Sequence, residues 1–263
     1  MTDSMFFRKY GPWALVAGGS DGLGGAWSEA FARRGLNVVL VARRKEQLEA
    51  KAKEIGERYR VSTLAIPLDL SVPSASEVLA ESVANLDLGI VVYNAALSPG
   101  GPFPMVERNF ISSALATNVS TPTLLLHSLL PRLAAREGAG VILVSSLAGY
   151  AGSSSLATYG ATKAYIRMLG EALWEENRAT GLDVMVTSPG AVTTPGLLSR
   201  SEKKIPGQLS PAEIVELSLA HLGKGPTFVP GFVNQIAATL LGRVLPRQSA
   251  TALMRKSSSG ITS

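Results

Sequence analysis

The chain of 263 residues contains no cysteine and only two histidines, His127 and His221. The absence of cysteine excludes disulfide scaffolds, thiolate metal sites and cysteine nucleophiles. Because both histidines lie in stretches of helical pattern, a metal site or a Ser/His/Asp triad has little support, and we expect neither. No run of 18 uncharged apolar residues occurs, and no basic start precedes an apolar stretch. We therefore expect no transmembrane helix and no signal peptide.

Acidic residues are absent from the last part of the chain. Residues 217–263 contain five Lys and Arg residues and no Asp or Glu, whereas the first 216 residues are formally neutral. A neutral body argues against a nucleic-acid surface and localises any attraction to anionic partners at the C-terminus. The basic extension, about 233–263, is open to three interpretations: peripheral contact with a membrane, contact with another subunit, or a solvated helix face. We expect a cytoplasmic protein.

The composition, 46% hydrophobic and 17% charged, supplies a buried core, and the length suits one domain over 1–263. Short apolar runs alternate with segments of helical period, which predicts an α/β fold with a doubly wound parallel sheet of about seven strands and helices on both faces. The strands are predicted at 13–18, 37–42, 62–67, 89–93, 141–145, 182–188 and 227–229. The helices are predicted at 22–34, 44–60, 74–85 with Ser74 as cap, 106–136 with kinks or breaks at Pro122 and Pro131, 156–180, from 210 onward, and 233–245. A flap is predicted at about 195–210 and a disordered end at 256–263.

A glycine-rich turn joins the first predicted strand to the first helix. Glycines permit a tight turn and let phosphate approach the backbone amides, which converge there with the positive end of the helix dipole. The strand and helix context predicts a dinucleotide site, with a purely structural glycine turn as the alternative. The predicted contacts are Gly18, Ser20, Asp21, Gly22, Leu23 and Gly24.

Two arginines follow the second strand, where a carboxylate would hold the ribose of NAD. Arg43 and Arg44 follow Ala42 instead, and a guanidinium pairs well with the 2'-phosphate of NADP. The sequence therefore favours NADP(H) over NAD(H), unless the arginines merely solvate a helix start. After the third strand, Asp69 and Leu70 are predicted to line the adenine end, with a helix cap as the alternative role of Asp69.

A tyrosine and a lysine four residues apart, Tyr159 and Lys163, share one face of a predicted helix. A tyrosine hydroxyl is a reluctant base unless a cation stabilises its phenolate, and Lys163 supplies that cation. Ser146 lies thirteen residues before Tyr159 and is suited to hold a carbonyl oxygen as charge develops. The adjacent Ser145 competes for this role, but the interval favours Ser146. Asn118 lies on the preceding long helix.

Together these residues resemble a classical short-chain dehydrogenase/reductase over roughly residues 11–230, narrowly the branch of 3-ketoacyl-CoA reductases and 17-beta-hydroxysteroid dehydrogenases. The resemblance implies a Rossmann-type fold, Tyr159 as general acid/base, Lys163 as its partner and as a ribose ligand, Ser146 as carbonyl donor and Asn118 in a water-linked proton relay. It also implies pro-S hydride transfer and contact of Thr194 with the nicotinamide carboxamide. The other implied cofactor contacts are Asn94, Ala95, Ala96, Pro189, Gly190 and Val192. Ala17, Tyr93 and Ala96 depart from the family pattern, so cofactor binding is where a difference is expected.

Three loops are predicted to line the substrate pocket, and their small and apolar residues favour a lipophilic ketone of fatty acyl, steroid-like or polyketide type. They are 97–105, 147–155 and 195–208. A nucleotide-sugar epimerase or dehydratase is a weaker alternative, because the chain has no room for a substrate domain. A second alternative is an NADP-binding regulator or scaffold without turnover. The resemblance also implies a homodimer or homotetramer through the long helices, where Leu124–Leu126 are expected on the outer face.

Overall fold

A computed structural model describes residues 2–193 and 206–258. Within these residues seven parallel strands form one sheet in the order β3-β2-β1-β4-β5-β6-β7. The strands are β1 (Trp13–Ala17), β2 (Asn37–Ala42), β3 (Thr63–Pro67), β4 (Leu88–Tyr93), β5 (Ala139–Val144), β6 (Leu182–Thr187) and β7 (Thr227–Phe228). The α-helices are α1 (Asp3–Tyr10), α2 (Gly22–Arg33), α3 (Lys45–Tyr59), α4 (Ala75–Ser82), α5 (Arg108–Leu115), α6 (Thr121–Ala134), α7 (Ala157–Glu176), α8 (Pro211–His221), α9 (Phe232–Thr239) and α10 (Arg247–Ser258).

Alternate residues of the first strand pack on opposite faces of the sheet. Ala14 and Val16 belong to one core cluster, with side chains of α2, α3 and α8. Leu15 and Ala17 belong to the other, with side chains of α4, α6 and α7. Because both faces are covered, the strands are continuous runs of buried apolar residues. The doubly wound, Rossmann-type α/β fold expected from the sequence is confirmed.

The direction of strand order reverses between β1 and β4, which are direct neighbours. At such a switch point the loops that follow the two strands separate, and a crevice opens at the carboxyl edge of the sheet. The glycine turn follows β1, and Asn94 follows β4, at this crevice. The fold therefore brings two of the predicted cofactor segments together.

The long predicted helix over 106–136 is divided. A five-residue π-helical turn, Ala116–Ser120, separates α5 from α6, and it ends just before Pro122 in the first turn of α6. Pro131 lies inside α6 and does not end the helix. The outward position expected for Leu124–Leu126 is wrong for two residues: Leu125 and Leu126 are buried in the core and only Leu124 is exposed.

Helix α1 was not predicted, and it is attached to the sheet by polar contacts. The hydroxyl of Tyr10, which is fully buried, donates to Asp183 Oδ2 at 2.5 Å, and Lys9 Nζ lies 2.5 Å from the same oxygen. Asp183 stands at the start of β6, so these contacts lie at the amino edge of the sheet. Helix α1 therefore braces the edge opposite the crevice.

Two other local predictions need correction. Ser74 precedes α4, but its side chain makes no capping hydrogen bond. The disordered end predicted for 256–263 is wrong for 256–258, since α10 continues to Ser258. Among the described residues, no helix is both long and apolar enough to cross a membrane.

Candidate active site

The turn after β1 is compact because backbone packs directly on backbone. Gly18 has a φ of +81°, in the region that favours glycine, and a Cβ there would lie 2.8 Å from the backbone of Ala95. A Cβ on Gly24 would lie 1.7 Å from the carbonyl oxygen of Gly18. Below the turn, the buried Ser28 Oγ donates to the carbonyl of Gly19 at 3.1 Å. The first turn of α2 is thereby held against the end of β1.

A cleft of about 530 Å³ opens beside this turn, along the carboxyl ends of β1, β2 and β4. Nine of the predicted cofactor contacts line this cleft. They are Gly18, Ser20, Arg43, Arg44, Asp69, Leu70, Asn94, Ala95 and Ala96. Ala42, Leu68, Leu97 and Thr117 also line it and were not predicted as contacts. Asp21 and Gly22 line a separate groove between α2, α3 and the start of α8, where the carboxylate of Asp21 accepts from Gly22 N at 2.7 Å.

The far end of the cleft carries two exposed arginines and Asp69. Arg43 acts on the carboxylate of Asp69, whereas Arg44 Nη2 lies 3.9 Å from Asp21 Oδ2. Asp69 Oδ1 accepts from Ser71 N at 2.9 Å and from Ser71 Oγ at 2.8 Å. Burial raises the pKa of Asp69, but the bonds from Ser71 and the charge of Arg43 outweigh it, so the pKa lies below its ordinary value. Since Ser74 is the residue that precedes α4, Asp69 is not a helix cap. It is an ionised acceptor in the cleft wall.

The tyrosine, the lysine and the serine come together at the carboxyl end of β5. The hydroxyl of Tyr159 is hydrogen-bonded to the side chain of Ser146. Burial raises the pKa of Tyr159, and the bond to Ser146 offsets part of that rise. Lys163 is 3% exposed, and its Nζ lies 5.6 Å from the centre of the Tyr159 ring. Burial lowers the pKa of Lys163 to about 8.

Backbone carbonyl groups hold this group of side chains in place. Lys163 Nζ donates to the carbonyl of Val144 at 2.8 Å, at the last residue of β5. The buried Ser145 Oγ donates to the carbonyl of Lys163 at 2.7 Å. Ser145 therefore braces α7 against β5, while Ser146 is the serine that reaches Tyr159. Of the two serines, Ser146 is the one bonded to Tyr159, and its role as carbonyl donor stays a prediction.

Asn118 lies in the π-helical turn, and its side chain is fully bonded. Its Oδ1 accepts from Leu97 N and its Nδ2 donates to Leu97 O, both at 2.8 Å, and Nδ2 also contacts Thr162 Oγ1 at 3.0 Å. Thr162 Oγ1 in turn donates to the carbonyl of Tyr159 at 2.8 Å. Asn118 thus joins the cleft wall at Leu97 to the helix that carries Tyr159. π-helical turns are frequent at functional sites.

Tyr93 shows how one departure from the family pattern is accommodated. Its side chain is buried, and its hydroxyl donates to the carbonyl of Thr117 at 2.7 Å, one residue before Asn118. Burial raises the pKa of Tyr93, which keeps the hydroxyl protonated. Tyr93 is therefore a structural brace between β4 and the π-helical turn. No local sequence pattern signals this contact, because it joins residues 24 positions apart.

Two of the predicted substrate loops meet, and an unpredicted element joins them. Gly101 N donates to the carbonyl of Ser155 at 3.0 Å, which links loop 97–105 to loop 147–155. Residues of the C-terminal helices pack on the second loop in a small apolar cluster that also contacts Tyr159. Its buried members are Ala148, Ala151, Leu241, Ala250 and Met254. The third loop, 195–208, and Thr194 lie almost wholly outside the described residues, which resume at Pro206.

Pro189 and Gly190 follow β6 beside the turn that carries Ser146. Leu147 N, one residue after Ser146, donates to the carbonyl of Pro189 at 3.0 Å. Val192 pairs with Leu209 in a short parallel bridge. Within 2–193 and 206–258, no three His, Asp or Glu side chains are grouped to hold a metal ion.

A family model described as short chain dehydrogenase matches residues 12–205, about three quarters of the chain. The chain belongs to the short-chain dehydrogenase family. A 7beta-hydroxysteroid dehydrogenase of Collinsella aerofaciens is 35% identical over 234 residues, covering 87% of this chain and 89% of that protein.

Two solved structures extend this family likeness. A structure described in a study of 7beta-hydroxysteroid dehydrogenase stereoselectivity superimposes with a TM-score of 0.89 at 33% identity, covering 94% of this chain and 98% of the other. A short-chain dehydrogenase of Sphingobium yanoikuyae in complex with NADPH gives a TM-score of 0.76 at 27% identity, covering 84% and 88%. This short-chain dehydrogenase is therefore a nicotinamide-dependent oxidoreductase of CH–OH and C=O groups, in general terms a carbonyl reductase.

The residues present fit a dinucleotide. The glycines of the turn let the start of α2 pack backbone on backbone against the ends of β1 and β4. The amide groups in the first turn of an α-helix lack partners within the helix and suit a phosphate. The cleft continues from the turn to the two arginines, a path that joins an anion site to a second cationic end.

Proposed function

We propose that the chain is an NADP(H)-dependent reductase of lipophilic ketones, and a dehydrogenase of the corresponding secondary alcohols, of fatty acyl, steroid-like or polyketide type. One observation carries the proposal. The Tyr159 hydroxyl is hydrogen-bonded to Ser146, the Nζ of the buried Lys163 lies 5.6 Å from the centre of the Tyr159 ring, and the Tyr159 side chain packs against an apolar cluster. A proton donor, a carbonyl holder and an apolar wall therefore occupy one place.

When bound, the dinucleotide supplies or takes up the hydride. The two hydroxyl groups, of Ser146 and Tyr159, bind the carbonyl oxygen, and Tyr159 transfers its proton to that oxygen as negative charge develops. The remaining phenolate is stabilised by the ammonium group of Lys163, which is mostly protonated at neutral pH because its pKa is about 8. In alcohol oxidation the same phenolate accepts the proton. Asn118 keeps the cleft wall and α7 in register while this happens.

The preference for NADP(H) rests on the charge at the far end of the cleft. Arg43 and Arg44 are exposed there, and Ala42 stands where a carboxylate would repel a 2'-phosphate. We expect NADPH to bind at least about tenfold more tightly than NADH, since charge-assisted bonds to a phosphate contribute about 1.5–3 kcal/mol. Arg43→Ala should remove most of this difference. Arg58→Ala, at the other end of α3, is the matched control.

The substrate class rests on the walls of the pocket. The cluster of Ala148, Ala151 and the C-terminal residues places apolar side chains against Tyr159. Phe103 and Met105 at the end of the first loop are 58% and 80% exposed, so the entrance is apolar as well. A ketone carried on a rigid or long hydrocarbon fits such walls. The steroid named for the relatives belongs to this class.

The test is turnover of a panel of acyl, steroid and quinone ketones with NADPH, read as loss of NADPH absorbance. Tyr159→Phe should abolish reduction while NADPH binding, measured by fluorescence titration, is kept. Tyr165→Phe is the matched control, because Tyr165 lies on the same helix and its hydroxyl is hydrogen-bonded to Thr123 Oγ1 of α6 at 3.0 Å. If the wild-type protein binds NADPH but reduces none of these ketones, the regulator without turnover replaces the enzyme. Equal activity of Tyr159→Phe and wild type would refute the assigned role of Tyr159.

We also propose that two copies associate through the face formed by α5, α6 and α7. Phe110, Leu115, Leu124 and Met168 on these helices are 40–60% exposed, a concentration of apolar surface that a homodimer would cover. Leu124→Glu with Met168→Glu should convert the oligomer to monomer in analytical ultracentrifugation. An unchanged sedimentation coefficient would refute this surface as the contact.

The C-terminal extension presents a second surface, which we propose meets an anionic membrane from the cytoplasm. Phe232, Ile236, Leu240 and Val244, spaced four apart, are each at least 36% exposed. Arginines at 243 and 247 flank this stripe, and residues 217–263 contain no acid. A two-fold contact of this surface with itself would bring like charges together, whereas anionic lipid complements them.

Vesicle flotation tests this contact with phosphatidylserine and with phosphatidylcholine alone. We expect flotation only with phosphatidylserine, and its loss in the Phe232→Ser and Val244→Ser double variant. If that variant changes the oligomeric state and wild type does not float, the stripe is a subunit contact.

A further inference from the structure

Asn234 is a buried polar residue on a helix whose apolar residues face outward. In α9 the buried residues are Asn234 and Ala238, whereas Phe232 and Val233 are 76% and 50% exposed. Asn234 itself is 4% exposed. A polar side chain inside and aromatic and aliphatic side chains outside reverse the usual arrangement of a surface helix. The burial of a polar residue in place of these apolar residues indicates that the side-chain amide of Asn234 has a specific structural role.

Both hydrogens of the Asn234 side-chain amide are donated in hydrogen bonds. Its Nδ2 donates to the carbonyl of Pro230 at 2.8 Å and to the carbonyl of Gly207 at 2.9 Å. Its Oδ1 lies against two glycines: a Cβ on Gly190 would be 2.5 Å from that oxygen, and a Cβ on Gly207 would be 2.4 Å from it. Asn234 therefore packs between the backbone of residue 190 and the backbone of residue 207.

Residues 190 and 207 lie next to two segments that are hydrogen-bonded to each other, 191–193 and the segment around Leu209. Leu209 N donates to the carbonyl of Ala191 at 3.2 Å, and Thr193 N donates to the carbonyl of Leu209 at 2.9 Å. The segment 189–193 is also bonded to the turn after β5, because the carbonyl of Pro189 accepts from Leu147 N, next to Ser146. The segment is thus fixed between the turn of the reactive serine and the amide of Asn234.

We infer that Asn234 is a positioning residue for the nicotinamide end of the site. It holds segment 189–193 at a fixed distance from the Ser146 turn, and through that segment it sets where the reacting ring lies relative to Tyr159. The inference rests on the proposed function, because it takes Gly190 and Val192 as cofactor contacts. Displacement of a reacting group by about 1 Å costs on the order of 100-fold in rate, so a small shift of this segment is measurable.

The adenosine end of the cleft supplies the internal reference. That end is built by Arg43 and Asp69, and none of the described residues that line the cleft there belongs to α9. The fragment adenosine 2',5'-bisphosphate binds only that end, whereas NADPH needs both. A variant that disturbs only the nicotinamide end must therefore separate the two affinities, and a variant that unfolds the protein must lower both.

The experiment compares Asn234→Ala and Asn234→Asp with wild type, using the full chain. Asn234→Asp keeps the shape of the side chain and replaces the two N–H donors with an acceptor, so it tests the hydrogen bonds without a cavity. Gln235→Ala is the matched control, since its Nε2 donates to Val229 O at 3.1 Å on the same turn and reaches neither Gly190 nor Gly207. The readouts are kcat, KM for NADPH, the primary isotope effect with 4-deuterated NADPH, and the Kd of adenosine 2',5'-bisphosphate by calorimetry.

Both Asn234 variants should lower kcat/KM by about 10- to 100-fold and raise the isotope effect, because hydride transfer becomes the slow step. The Kd of adenosine 2',5'-bisphosphate should stay within about twofold of wild type, as should every constant of Gln235→Ala. Unchanged kinetics in Asn234→Ala and Asn234→Asp, or an equal loss of affinity for the fragment, would overturn the positioning role. Failure of wild type to bind either NADPH or the fragment would instead refute the proposed function on which it rests.

Discussion

Replacement of Lys163 by methionine should make the unliganded protein more stable while it removes activity. Lys163 is almost completely buried, and its pKa falls to about 8 from an ordinary 10.5. The folded state therefore disfavours the charged lysine. A shift of this size corresponds to about 3 kcal/mol of lost unfolding free energy at pH 7. Methionine has a similar length and carries no charge.

The variant also loses the hydrogen bond from Nζ to the carbonyl of Val144, which contributes about 1 kcal/mol. We expect a net gain of about 2 kcal/mol at pH 7. The gain depends on pH with a definite sign. Below pH 8 the lysine is charged in both the folded and the unfolded state, and the free-energy cost of burying its charge is at its full value. As pH rises from 8 toward 10.5, the folded protein releases this proton before the unfolded chain does, so the cost of burying Lys163 falls. The gain in unfolding free energy of the variant therefore disappears near pH 10.

Urea unfolding of both proteins at pH 7 and pH 10, at one protein concentration and without cofactor, measures this difference. Lys53→Met on α3 is the control, because Lys53 is 75% exposed and should change stability by less than about 0.5 kcal/mol. Lys163→Met should show no ketone reduction. The reasoning is refuted if Lys163→Met is less stable than wild type at pH 7, or if its advantage grows between pH 7 and pH 10.

Three further predictions concern single contacts. Gly24→Ala should abolish NADPH binding in a fluorescence titration, because its methyl group would lie 1.7 Å from the carbonyl oxygen of Gly18; normal affinity would contradict that packing. Ser145→Ala should lower the unfolding free energy by about 1–3 kcal/mol, and Ser146→Ala should lower kcat more than Ser145→Ala does. A larger loss of stability in Ser146→Ala by urea unfolding, with a larger loss of kcat in Ser145→Ala, would exchange their roles. Tyr10→Phe should cost about 1.5–3 kcal/mol in urea unfolding with unchanged kcat, since its bond to Asp183 lies at the opposite edge of the sheet; a changed kcat would count against this separation.

The parallel strands were predictable because each is buried on both faces and is therefore a continuous apolar run. β4 and β5 are buried at all six positions, and their predicted bounds differ from the observed ones by one or two residues. The grouping of Ser146, Tyr159 and Lys163 was predictable for a related reason. A strand end and the next helix of a parallel sheet meet at the same edge, so their spacing along the chain fixes their meeting in space.

Other parts of the site depend on contacts that carry no local signal. Asn234 meets Gly190 from 44 positions along the chain, and nothing in its own neighbourhood distinguishes it from an exposed helical asparagine. The burial of Ala250 and Met254 against Ala148 likewise depends on where the C-terminal helices fold back. Asp21 was assigned to the cofactor contacts from its place in the glycine turn. Its Oδ1 accepts from the first amide of α2, and its Oδ2 lies 3.9 Å from Nη2 of Arg44, which lines the cleft.

The side chains at the carboxyl end of β5 are held by main-chain atoms, and this has a consequence for how the protein can diversify. Lys163 is fixed by a carbonyl of β5, Ser145 by a carbonyl of α7, and the turn after Ser146 by the carbonyl of Pro189. Substitution of a neighbouring side chain cannot delete a carbonyl. Substitutions around this centre therefore leave its anchoring carbonyl groups in place, while substitutions of the loop and C-terminal side chains change the apolar wall. Descendants of such a protein can change what they accept without losing how they react.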